Sequence, residues 1–156
     1  MYLKKINLKN QVALVTGAGK GIGRACSIAL AEAGATIIGL SRTTPDLDKL
    51  QKDIKKVKGK LIKITCDIMD YEDLSSKLKK IKKIDILVNN AGTNIPEPFE
   101  KIKQTSMNYI VDLNMKAAFN VAQLVVLKML KNKKKGGSII NMSCLLYTSP
   151  SPRDNR

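Results

Sequence analysis

The chain has no histidine, which excludes a Ser-His-Asp or Cys-His mechanism and the usual mixed zinc sites within it. Its three cysteines, Cys26, Cys66 and Cys144, lack the Cys-x-x-Cys spacing of a metal knuckle or a redox pair. No metal is expected. Tryptophan is absent and aromatics make up only 4% of the residues, so few faces exist on which nucleic-acid bases could stack. No apolar run approaches the length needed to span a bilayer. The basic start Met1-Tyr2-Leu3-Lys4-Lys5 continues into polar residues, unlike a signal peptide. A cytoplasmic protein with no membrane partner is the expectation.

Acidic residues are scarce as well. Against 13 Asp and Glu stand 28 Lys and Arg, a formal charge of +15, which brings nucleic-acid binding into consideration. The lysines are spread over several helical patterns, so solvated helix faces explain them better, and no nucleic-acid partner is expected. With 156 residues, 44% of them apolar, there is room for one domain with a real core and none for a second of equal size.

What the chain does have is organised around Val12-Ala13-Leu14-Val15-Thr16-Gly17-Ala18-Gly19-Lys20-Gly21-Ile22-Gly23. A β-branched apolar run enters a glycine-rich turn. Ile22, Ala25, Cys26, Ala29, Leu30 and Ala33 then leave it at helical spacing. Glycines let backbone N–H groups approach a pyrophosphate without interference from Cβ, and the helix start adds unpaired donors and a positive dipole end. Strand, phosphate loop and helix are all legible, which makes the pattern more specific than a bare Gly-x-Gly-x-x-Gly.

The rest alternates strand and helix. Gly34 is expected to close the first helix, and Thr36–Leu40 to form strand two. Thr44-Pro45 reads as a cap and first-turn proline, with Leu47, Leu50, Ile54 and Val57 as the buried stripe and Gly59 as the stop. Leu61–Cys66 is strand three. Asp70 with Asp73 resembles a helix cap before Leu74, Leu78 and Ile81. Ile84–Val88 is strand four, a loop holds Pro96 and Pro98, and a helix spans about 105–131. Gly136-Gly137 then precedes strand five, Ser138–Met142. This alternation predicts an α/β fold with a Rossmann-type, doubly wound parallel sheet.

Taken together, five ordered motifs identify a resemblance to the short-chain dehydrogenase/reductase family: Thr16–Gly23, Cys66-Asp67-Ile68, Asn89-Asn90-Ala91-Gly92, Asp112-Leu113-Asn114, and Gly137–Ser143. The chain is most similar to 3-oxoacyl-[acyl-carrier-protein] reductases and to sugar-acid and polyol dehydrogenases of that family. The resemblance implies strand order 3-2-1-4-5 and carbonyl to secondary-alcohol chemistry on a small or acyl-carrier-bound substrate. A homo-oligomer is implied for the full-length parent. It places the pyrophosphate at Gly17, Gly19, Lys20, Gly21 and Gly23, and the nicotinamide near Ile22. Asp67, with Ile68, would meet the adenine. Asn90, Ala91, Gly92 and Thr93 would line the crevice outside the strand ends. Asn114 would bend its helix and serve catalysis through a held water. Where an acidic residue would repel a ribose 2′-phosphate, the chain has Ser41-Arg42, with Lys20 on the loop. A guanidinium grips phosphate bidentately, so NADP(H) is favoured over NAD(H).

The family's serine after strand five and its Tyr-x-x-x-Lys pair are missing. Cys144 stands where the serine belongs, and Ser151, not lysine, lies four residues after Tyr147. The stretch Cys144–Asp154 resembles a translated sequencing adapter, so 144–156 is set aside from the fold and 1–143 is read as an incomplete domain, truncated before strand six. The expectation is weak cofactor binding without turnover.

Overall fold

The computed structural model describes residues 6–132 and 136–143. The expectations for residues 144–156 lie outside them. Five strands, β1 (Val12–Thr16), β2 (Thr36–Ser41), β3 (Lys60–Thr65), β4 (Ile86–Asn89) and β5 (Ser138–Asn141), form one parallel sheet in the order β3-β2-β1-β4-β5. The helices are α1 (Gly21–Glu32), α2 (Thr44–Lys56), α3 (Tyr71–Lys79), α4 (Gln104–Val111) and α5 (Ala118–Met129). A π-helical turn, Asp112–Ala117, joins α4 to α5.

Side-chain alternation along the strands feeds two cores. Leu14, Ile38, Leu40 and Leu87 pack on one face with Leu74 and Leu78 of α3 and Val121 and Val125 of α5. Ala13, Val15, Ile37 and Val88 pack on the other with Ala31 of α1 and Leu47, Leu50 and Ile54 of α2. Covering both faces is what lets parallel strands be apolar on each side. β5 is the exception: all four of its residues are exposed, Ile139 and Ile140 among them, at the edge of the sheet.

Several boundaries differ from the sequence expectation for physical reasons. The α1 terminus is as expected, with Gly34 left-handed (φ 100°). Its N–H reaches Ala31 O (2.9 Å) and that of Ala35 reaches Leu30 O (3.0 Å). The α2 terminus uses the same pair of bonds, from Lys58 to Lys55 O and from Gly59 to Ile54 O, but Lys58 takes the left-handed position (φ 55°). Gly59 is one residue later, and a Cβ there would lie 2.9 Å from both Ala31 Cβ and Ile54 Cγ2. Close packing, not helix termination, requires that glycine. The α2 cap is Thr43; Thr44 lies inside the helix, its hydroxyl 2.9 Å from that of Thr65. Strand four starts at Ile86; just before it the Asp85 N–H donates to Val12 O at 2.8 Å while its carboxylate takes the Val12 N–H at 2.8 Å.

The expectation that no segment is of membrane-spanning length also needs correcting. Gln104–Met129 is one 26-residue helix, long and apolar enough by length and composition to cross a bilayer. Polar residues such as Asn108, Asp112, Asn114 and Asn120 interrupt it, which hides its apolar character from a search for uninterrupted runs. Its stripe Leu113, Ala117, Val121, Val125 and Met129 is buried in the sheet core.

Charged pairs tie the helices down. The Arg24 guanidinium on α1, followed by the Lys56 ammonium, hydrogen-bonds Asp53 on α2 and holds its carboxyl below the ordinary 3.8. Asp73 is held down in the same way by Lys77, 2.5 Å away, and Lys77 is raised in return. Asp70 caps α3 by accepting the Asp73 N–H at 3.0 Å, as expected.

Two outcomes follow. Lys58→Gly relieves a left-handed non-glycine residue and is expected to raise the unfolding free energy in urea by about 1 kcal/mol. A carboxylate whose pKa is lowered by folding contributes stability that is full above its unfolded pKa and is lost as pH falls through the folded one. Urea midpoints measured from about pH 5 down to about pH 2 should therefore fall less steeply for Asp53→Asn than for the wild type.

Candidate functional site

The loop after β1 turns sharply because Gly17 is left-handed (φ 64°), and Ala18 N–H fixes it against β2 by donating to Leu40 O at 3.1 Å. Gly23 is the tightest point. A Cβ there would lie 2.4 Å from Gly17 O and 2.5 Å from Asn90 Nδ2, so α1 can sit this close to the loop only with a glycine. No side chain caps the α1 amino terminus and its first turn carries no acid, which leaves that end of the helix open to an anion.

Thr16 joins this loop to the end of β4. Its hydroxyl oxygen accepts the N–H groups of both Asn90 and Ala91, each at 2.9 Å, and lies 3.4 Å from Asn89 Oδ1. Asn90 Nδ2 donates back to Thr16 O at 3.0 Å. Asn89, buried at the strand end, donates to Ala118 O at 2.8 Å and so anchors α5. Thr16 is fully buried. These bonds fix the last turns of β1 and β4 side by side.

Two cavities open at the carboxyl ends of the strands, one on each side of the glycine loop. The first gathers Gly17, Gly19, Lys20, Ser41, Arg42, Asp67 and Ile68 from the expected site, with Leu40 and Cys66 in its wall. The second gathers Ile22, Asn90, Thr93 and Asn114, with Asn141 and Ser143 beyond. Ala91 and Gly92 line both, so the two cavities adjoin there. Gly21 (φ 50°) lines neither and serves the turn into α1. Ile22 is 60% exposed, an apolar side chain held out over the second cavity.

The first cavity contains two ion pairs. Lys20 Nζ lies 3.2 Å from Asp46 Oδ2, and Arg42 Nη1 lies 3.9 Å from Asp67 Oδ2 while donating to the Tyr109 hydroxyl at 3.2 Å. Asp46 and Tyr109 were not among the expected site residues. They come from α2 and α4, and only tertiary structure brings them to the cations. Asp67 is not the cap of α3, which is Asp70; its carboxylate instead accepts the Met69 N–H at 3.0 Å. The Cys66 thiol is pushed up to about 12, chiefly by burial and then by the Asp73 carboxylate, so it lines the cavity as a neutral group.

Asn114 sits in the π-helical turn, and both its polar atoms hold Thr93: Oδ1 accepts the Thr93 N–H at 2.9 Å and Nδ2 donates to Thr93 O at 2.7 Å. A Cβ on Gly92 would come within 3.0 Å of Asn114 Oδ1. Asn114 therefore positions the wall of the second cavity.

Comparison with known proteins places this geometry in a large group. The family profile described as short chain dehydrogenase matches residues 11–154. A 3-oxoacyl-[acyl-carrier-protein] reductase of Thermotoga maritima is 32% identical over 151 residues, covering 93% of this chain and 61% of that protein. Among solved structures, NAD+-bound xylitol dehydrogenase matches with a TM-score of 0.85 at 27% identity, over 93% of this chain and 57% of that one. A metagenomic short-chain oxidoreductase in complex with NADP matches at 0.82 and 28%, over 92% and 66%. The chain thus spans about three-fifths of the length of such relatives.

The Thr16 hydroxyl can be tested directly. Thr16→Val keeps the shape but leaves the Asn90 and Ala91 N–H groups without their acceptor, and is expected to lower the unfolding free energy by about 2–4 kcal/mol. Thr16→Ser, which keeps the oxygen, should lose less than half of that in the same urea titration.

Proposed function

The chain belongs to the short-chain dehydrogenase family, and from that premise we propose that it is the dinucleotide-binding part of an NADP(H)-dependent oxidoreductase interconverting a carbonyl and a secondary alcohol. The observation that carries this reading is the crevice made by two adjoining cavities that share Ala91 and Gly92. It crosses the sheet where the first and fourth strands part, at a loop whose Gly23 has no room for a side chain.

In this reading the backbone N–H groups from Gly17 to Gly23 and the uncapped start of α1 hold the pyrophosphate. Asp67 accepts a hydrogen bond from the adenine amino group, and the neutral Cys66 and Ile68 flank the ring. Lys20 and Arg42 face the ribose 2′-phosphate. Ile22, Asn90 and Thr93 shape the nicotinamide end, and Asn114 holds Thr93 in place. When bound, the nicotinamide supplies or accepts the hydride. The proton is left to residues of the family's Ser and Tyr-x-x-x-Lys pattern, which this chain does not carry. In this reading the chain as it stands binds cofactor weakly and has no turnover.

Substrate assignment stays at the level of small or acyl-carrier-bound carbonyl compounds, in keeping with the reductase and polyol dehydrogenase relatives. A cytoplasmic location fits the expected chemistry, and neither nucleic acid nor membrane enters it. The exposed Met107, Met115, Phe119, Leu127 and Leu130, along the helical stretch from α4 through the π-helical turn to the end of α5, fit the subunit contact of a homo-oligomeric parent.

Fluorescence titration of the purified chain checks the coenzyme assignment. NADPH is expected to bind about tenfold more tightly than NADH, with no NADPH consumed when a diketone is added. A preference for NADH, or measurable turnover, would contradict it.

A further inference from the structure

Both cations that favour a 2′-phosphate are already paired with carboxylates. Of the two carboxylates, Asp46 is the more enclosed. Its side chain is 9% exposed while that of Lys20 is 78% exposed. It belongs to the first turn of α2, with Thr43 as cap, where a carboxylate also offsets the positive end of the helix. It packs directly against the loop: a Cβ on Gly19 would lie 2.6 Å from Asp46 Cβ and 3.2 Å from Ser41 Oγ. Gly19, Ser41 and Asp46 therefore meet at one point of the first cavity, with the Lys20 ammonium drawn over them.

We infer that Asp46 is a specificity-determining residue: by pairing with Lys20 it weakens the loop's attraction for a ribose 2′-phosphate and so limits the preference for the phosphorylated coenzyme. The inference rests on the proposed placement of the ribose in the first cavity. An incoming phosphate must share Lys20 with a carboxylate enclosed beside the loop, and it gains less than it would from a free ammonium. A ribose 2′-hydroxyl brings no charge and loses nothing to Asp46. Each cation at this end of the crevice stands beside a carboxylate, Lys20 with Asp46 at 3.2 Å and Arg42 more loosely with Asp67 at 3.9 Å, although the chain as a whole is strongly basic.

The test compares Asp46→Asn with the wild type by isothermal titration of 2′,5′-ADP and 5′-ADP, two fragments with no nicotinamide, so that turnover plays no part. Asp46→Asn should tighten 2′,5′-ADP about three- to fivefold and leave 5′-ADP within twofold, the gain shrinking as KCl is raised. In a Lys20→Met background the same substitution should leave both affinities unchanged, because the residue it releases is gone. Asp46→Ser serves as a second replacement, and thermal melts confirm that each variant is folded. A ratio of the two affinities that does not move, or an equal gain without Lys20, overturns the role of Asp46 while leaving the dinucleotide site standing. A wild-type chain that binds neither fragment overturns both.

Discussion

The hydroxyl of Thr16 is the constraint on which the site depends. A parallel sheet supplies no hydrogen bonds beyond the ends of its strands, so the segments leaving β1 and β4 would otherwise diverge with their N–H groups unpaired. One oxygen accepts two of those N–H groups, from Asn90 and Ala91, and Asn90 returns a bond to the Thr16 carbonyl. The glycine loop is thereby fixed against the Asn90–Gly92 segment. That contact is close enough for Asn90 Nδ2 to lie within 3.0 Å of where a Cβ on either Gly17 or Gly23 would sit. The glycines are thus demanded by a neighbouring side chain as well as by any ligand, and the crevice is formed before anything enters it.

Most of the fold was legible because its signals are local. The run Val12–Gly23 states strand, turn and helix within twelve residues, and the strand and helix alternation that follows is repeated often enough to determine the layers. What escaped was the part that depends on residues distant in the chain. Lys58 carries a side chain in the left-handed position usually given to glycine, and the glycine beside it looked like the stop while serving to pack against Ala31. Asp85 falls just outside the start of β4, its carboxylate taking the N–H of Val12, 73 residues away. The carboxylate partners of Lys20 and Arg42 are the same case at the site. Charge counted along the chain showed two cations, and charge counted in space shows two neutral pairs.

Locality also governs how a charge of +15 is accommodated. Lysines on α2, β3 and α3 find carboxylates one turn away or on the adjoining element, as Lys56 does with Asp53, Lys63 with Asp48 and Lys77 with Asp73. Several acids are thus used up close to home, and the excess falls on exposed helix faces, where a cation is well hydrated and weakly coupled to its neighbours. A basic composition is therefore compatible with a crevice whose cations stand beside carboxylates.

The long helix shows how one element meets two demands. Its buried stripe, Leu113, Ala117, Val121, Val125 and Met129, repeats every four residues, while an α-helix repeats every 3.6, so on a straight helix the stripe would drift steadily around the axis. The wider π-helical turn at Asp112–Ala117 rotates less per residue and takes back part of that drift at the first step of the stripe. It does so where Asn114 must also face away from the sheet to hold Thr93. Leu113 and Asn114 are adjacent, one buried in the core and the other bonded to the crevice wall. The turn that helps keep the first seated sets the direction of the second. Packing and site geometry are thereby coupled in this segment: a change that restored a regular α-helix would shift the stripe against the sheet and swing the Thr93 clamp together.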